Sequence, residues 1–286
     1  MSTKRSVTPA RQDVLDSLLF GGLLAFLLLL PFHLVIKGLI PGPIGTYWKE
    51  GLLGLLLVLW AVQSLRARRL LLTRSGLDWA VFIYLGYLVL RFFLDGPGWE
   101  TLWGLYISVM YLPVLWVVTT ALRQRPGRLM VLIGSLVGVG AVVAIGGLLE
   151  FILNVPLWPS EEMVRMHGFP GVFIYGTNIR RVYFTFDSPT TLANTLAMIL
   201  PLAVSLVLVS QRRLARVAAG VAAGLMAACI VVTFSRGIWV ATVLSLVVMG
   251  AWLAIERVSG RGFLRRLWRP LAVVAGTLLL IALAWT

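Results

Sequence analysis

Long apolar runs leave this chain few folds to adopt. Stretches from about Ser17 to Ile36, Leu77 to Leu94, Leu129 to Leu153 and Pro189 to Ser210 each reach the length, about 18 residues, that a helix needs to cross a hydrocarbon layer. The segment from Val217 to Ile255 is apolar except around Ser235-Arg236-Gly237. As one helix it would extend roughly 58 Å, about twice the hydrocarbon thickness, so it must turn and form two spans. Gly237 is the expected breaker, and Arg236 the residue drawn to water at that turn. With 59% hydrophobic and 13% charged residues among 286, the composition agrees. The expected fold is an all-α polytopic membrane protein of about nine transmembrane helices. The first run is too long for a signal-peptide core and no small-x-small cleavage site follows it, so it reads as an uncleaved span.

The remaining spans are expected from about Glu50 to Leu65, across a fourth segment ending near Leu122, and from Leu271 to Thr286. The net charge of +14 would suggest nucleic acid in a soluble protein, but here the basic residues fill short connections between apolar runs, which excludes that partner. Of the 25 Lys and Arg, 18 fall on the side of the N-terminus and seven on the other: Lys37, Lys49, Arg91, Arg165, Arg180, Arg181 and Arg236. The positive-inside rule then makes the N-terminus cytoplasmic. Glu50, Asp95, Glu100, Glu150, Glu161, Glu162 and Asp187 fall at or near the opposite, outer face, with Trp48, Trp99, Trp103 and Trp158 as interfacial anchors. The single Cys229 lies within an apolar run, where it reads as a small packing residue.

By this parity Arg181, at the start of the sixth span, and Arg236 share the outer face, beside a hydrophilic stretch from Asn154 to Ser188 that carries Arg165 and Arg180. Guanidinium groups there suit a membrane-bound diphosphate, since arginine offers planar, bidentate donors to phosphate oxygens. Each arginine also has a plainer reading, as a helix-end anchor snorkelling to lipid phosphates. Arg91 either pairs with Asp95, snorkels, or contributes to carrier-phosphate binding. Asp187 can act as a base, partner Arg181, or cap the sixth span, and Asp187-Ser188-Pro189 favours the cap. Tyr183, Phe184 and Phe186 read as interfacial packing before sugar-stacking surfaces, and Glu150 is a further outer candidate. His167 and His33 lack companions at ligand spacing, so neither a metal nor another cofactor is expected. No phosphate-binding glycine loop, zinc-protease motif or serine-nucleophile elbow is present.

The pattern Arg181-x-Tyr183-x-Thr185-Phe186-x-x-Pro189, then Leu192-Ala193, Leu200-Pro201-Leu202, a basic turn, and a helix ending Thr233-Phe234-Ser235-Arg236-Gly237 resembles the O-antigen ligase and polymerase superfamily. In that family the first motif commonly reads Arg-x-x-Gly-Thr-Phe-x-x-Pro-Asn and the second Ser-Arg-Gly or Ser-Arg-Ala. This chain has Phe184 in place of the Gly and Thr190 in place of the Asn. The matching core runs from about Arg181 to Val248, about a quarter of the chain.

The resemblance implies transfer of a glycan from an undecaprenyl-diphosphate carrier to a lipid or glycan acceptor, on the outer face of the bacterial cytoplasmic membrane and without metal or nucleotide sugar. Arg181 and Arg236 would hold the diphosphate and stabilise its developing charge. Arg180, Arg165, Arg91, Asp187, Tyr183 and Ser235 would line the substrate site. The family's general base is a histidine in a large outer loop beyond the second motif, and no residue here matches it. The whole chain reads as one transmembrane domain. Its last apolar run of 16 residues gives a helix of roughly 24 Å, short of a full crossing, so the chain is expected to be the N-terminal portion of a longer protein. The alternative activity is transport or flipping of the same lipid-linked glycan, which usually places ionisable groups or broken helices at mid-membrane depth.

Overall fold

A computed structural model describes residues 9–68, 71–72, 76–94, 96, 98–123, 125, 127–157, 174, 177 and 179–256. The chain is an all-α, multi-pass membrane protein. Among the described residues, eight helical segments are long and apolar enough to cross a membrane. The helices are α1 (Pro9–Leu29), α2 (His33–Leu39), α3 (Pro43–Arg66), α4 (Gly76–Leu94), α5 (Trp99–Met110), α6 (Val114–Arg123), α7 (Gly127–Leu153), α8 (Pro189–Val209), α9 (Arg213–Val232) and α10 (Arg236–Glu256). The expected ninth span, from Leu271 to Thr286, lies outside the described residues.

Two spans are interrupted where the sequence places proline. A 3-10 turn, Leu30–Phe32, separates α1 from α2 at Pro31, and the fourth span divides into α5 and α6 around Pro113. Proline lacks the N–H that a helix interior needs and its ring crowds the preceding turn. The described residues fall into two compact units, within 1–30 with 41–132 and within 31–40 with 133–286.

In the first unit, Leu19, Leu23 and Phe26 of α1 pack on Leu53 and Leu56 of α3 and on Val117 and Ala121 of α6. Their spacing puts all three on one helix face. Arg128 is buried there, its Nη1 2.7 Å from Asp16 Oδ2 and its guanidinium 4.8 Å from the Phe20 ring centroid.

In the second unit, α7, α8 and α9 form a core around Val143, Leu192, Leu196 and Met226. Lipid is as apolar as leucine, so helices in a membrane associate through close packing, and small residues permit it. A Cβ on Gly140 would lie 2.8 Å from Met226 Sδ, and one on Gly147 2.7 Å from Cys229 Sγ. Cys229 is fully buried against that glycine.

Two local expectations are corrected. Ser188, not Asp187, caps α8: its side chain accepts from the Thr191 N–H at 3.1 Å, and Pro189 takes the first helical position. Proline suits that position because its missing N–H would have no intrahelical partner there, which leaves the preceding residue as the cap. Ser188→Ala is expected to lower stability by about 1 kcal/mol, read as an earlier unfolding transition in detergent, with Asp187→Ala leaving the transition in place.

The α9–α10 turn likewise breaks at Phe234, whose φ is +52°, and not at Gly237, which lies in the first turn of α10.

Candidate functional site

Three segments of the second unit converge at one end of its helices: the last turns of α7, the stretch from Arg180 to Ser188 that leads into α8, and the turn from Thr233 to Ser235. Glu150, near the end of α7, is only 1% exposed. Its Oε2 accepts the backbone N–H groups of Tyr183 at 3.3 Å and Phe184 at 2.6 Å. One turn earlier on α7, Gly146 leaves the space that the Phe184 ring fills, and a Cβ there would fall on that ring. Phe184 itself has φ +47°, in the left-handed region that side chains with a Cβ disfavour. Asn154 Oδ1 accepts the Arg180 N–H at 3.2 Å, fixing the start of the same stretch.

Arg181 crosses from this stretch to the α9–α10 turn. Its Nε donates to the Thr233 carbonyl at 3.0 Å and its Nη2 to Ser235 Oγ at 3.2 Å. Thr233 is fully buried, and its hydroxyl donates to the Ile230 carbonyl at 2.7 Å. The Trp239 indole N–H donates to that same carbonyl at 3.0 Å. Phe234 meets Phe151 of α7, with ring centroids 6.3 Å apart. The turn is therefore held by α7, by α10 and by Arg181 together.

Partial burial pushes the Arg181 guanidinium below its ordinary pKa, though arginine stays charged at any physiological pH. Among the described residues no carboxylate pairs with it. A guanidinium carries five N–H donors, and the two contacts above leave three directed elsewhere.

The other expected residues are placed as follows. Arg236 opens α10 directly after Ser235 and is exposed, with no hydrogen bond or ion pair among the described residues. Arg180 lies over the Tyr183 ring, 5.2 Å from its centroid, and its Nη2 donates to the Tyr183 hydroxyl. Burial pushes the Tyr183 phenol up despite Arg180 beside it, so it remains neutral and keeps a proton to donate. Tyr183 is buried, which agrees with packing and leaves little ring for a sugar. Asp187 is exposed. Arg91 belongs to the first unit, where its Nη1 donates to the Tyr87 hydroxyl at 3.3 Å beside a cleft between α4 and α5. Arg165, His167 and Asp95 lie outside the described residues.

The sequence named Glu150 only as an acid at the outer end of a span. An acid near the end of an apolar run was the only local signal, since its partners lie 33 and 34 residues downstream. Comparison with protein-family models, curated proteins and solved structures finds no match to this chain.

Proposed function

We propose that this protein transfers a glycan from an undecaprenyl-diphosphate carrier to a lipid or glycan acceptor, in the manner of the O-antigen ligases and polymerases, at the outer face of a bacterial cytoplasmic membrane. The observation that carries this reading is the Arg181 fork. It ties the first motif to the second and leaves three N–H donors uncommitted, on a turn that continues into the exposed Arg236. A partly buried cation with no carboxylate partner among the described residues favours an anionic ligand, because buried charge is stable when paired.

Phe184 lends a second support. It adopts a left-handed backbone at the place where the family's motif commonly has glycine, the residue most at ease there. In the reaction the glycosyl–oxygen bond to the diphosphate breaks as the acceptor hydroxyl attacks and releases its proton. Negative charge grows on the departing diphosphate, and preorganised guanidinium donors stabilise it more than they stabilise the bound carrier.

The test is complementation of a strain lacking the gene, with the attached glycan resolved as a ladder on gels. Loss of all attached polymer in the deletion strain marks a ligase, and retention of one repeat unit marks a polymerase. Arg236→Ala is expected to lower transfer by about tenfold or more, with the protein still in the membrane. An unaltered ladder in the deletion strain would refute the proposal.

A further inference from the structure

Glu150 is the one carboxylate among the described residues that is almost wholly enclosed at the candidate site, and the proposed chemistry gives it no task. Its Oε2 holds two consecutive backbone N–H groups, and its Oε1 is buried with no hydrogen-bond partner. A buried acceptor so placed costs stability unless it organises something, since desolvating a carboxylate is expensive. The two N–H groups belong to Tyr183 and Phe184, two and three residues after Arg181. They fix the stretch from which Arg181 extends to Thr233 and Ser235.

We infer that Glu150 is a positioning residue: its carboxylate latches the Tyr183–Phe184 backbone and thereby sets the Arg181 fork against the Ser235 turn. The path is continuous. Glu150 of α7 holds residues 183 and 184, these set the origin of the Arg181 side chain, and Arg181 grips the turn that carries Arg236. Phe184 supplies the reason a latch is needed. A phenylalanine at φ +47° is held against its own backbone preference, and Glu150 accepts the N–H of that very residue at 2.6 Å.

A residue that only filled the space could be replaced by any side chain of similar volume. A latch requires an acceptor oxygen at the right reach. Gln keeps one at the same distance, Asp withdraws it by a methylene, and Met fills the volume with no oxygen. Glu150→Gln is therefore expected to behave nearly as wild type, and Glu150→Asp and Glu150→Met to fail together.

Two readouts separate this inference from the proposed function on which its binding arm rests. The first is hydrogen exchange in detergent micelles at the Thr233–Trp239 amides, which Glu150 does not contact. Glu150→Met is expected to speed exchange there, and to add nothing in an Arg181→Ala background, because the effect travels through Arg181. The second is affinity for farnesyl diphosphate, expected to fall about tenfold in Glu150→Asp and Glu150→Met and only a few-fold in Glu150→Gln.

Additive exchange effects of Glu150→Met and Arg181→Ala would overturn the latch, as would a Met variant indistinguishable from Gln. Wild-type protein that binds no diphosphate, with the exchange pattern as expected, would support the latch and count against the diphosphate reading. If Glu150→Met does not survive extraction, the Gln and Asp variants decide: equal exchange at Thr233–Trp239 in both would overturn the inference.

Discussion

Arg181→Ala is expected to reduce glycan transfer on the order of 10²- to 10³-fold, the range found when one donor to developing charge is removed from an enzyme. The expectation exceeds that for Arg236→Ala because Arg181 has two tasks. In the proposed reaction it offers donors to the diphosphate, and through Thr233 and Ser235 it holds the turn from which Arg236 projects. Arg181→Lys is expected to recover little. An ammonium keeps the charge but cannot bond the Thr233 carbonyl and Ser235 Oγ through one planar fork while keeping three further donors for a ligand. The measurement is the initial transfer rate in membranes, normalised to the amount of inserted protein. Activity of the Lys variant equal to wild type would show that charge alone suffices and that the fork has no part.

The second large effect concerns Gly146 and Phe184, which occupy one space. Phe184→Gly relieves a left-handed backbone at a non-glycine residue, worth about 1–2 kcal/mol. It also removes a half-buried ring packed on α7, and although a fully buried phenylalanine side chain is worth about 3–5 kcal/mol, part of this ring is already exposed. The loss still outweighs the relief, so Phe184→Gly is expected to destabilise by roughly 1 kcal/mol although it restores the residue usual in the resembled motif. Gly146→Leu in the wild-type background drives a side chain into the ring and is expected to destabilise by about 1–3 kcal/mol. Combined, the two substitutions should recover much of the loss, since the leucine fills what the ring vacates. Thermal unfolding of the four proteins in detergent yields the coupling directly. Strict additivity would mean that Phe184 does not rest on Gly146.

The spans were legible because the property that makes a helix cross a bilayer, a long apolar run, is written into consecutive residues. The cap of α8 was nearly legible: Asp187 and Ser188 are both good caps, and Pro189 decides between them by occupying the first helical position. The α9–α10 break was not. Glycine at 237 is the local favourite, yet the chain turns at Phe234 because Arg181 binds the preceding carbonyl from 52 residues away and Phe151 meets the ring. Glu150 was hidden for a similar reason. An acid near the end of an apolar run announces itself, but its partners lie 33 and 34 residues downstream, at a distance no local pattern encodes.

The two left-handed phenylalanines bear on how readily the site accepts an occupant. Glycine at 184 and 234 would make both turns easy to form and equally easy to leave, so a ligand would have to freeze them on arrival. Phenylalanine narrows the conformations open to the unfolded chain, and in the folded protein its ring is anchored in the core around α7. Most of the ordering entropy is thus settled when the protein folds and not when it binds. Such a site should recognise its ligand with little rearrangement, and binding of a diphosphate should show only a small heat-capacity change, without the signature of coupled folding.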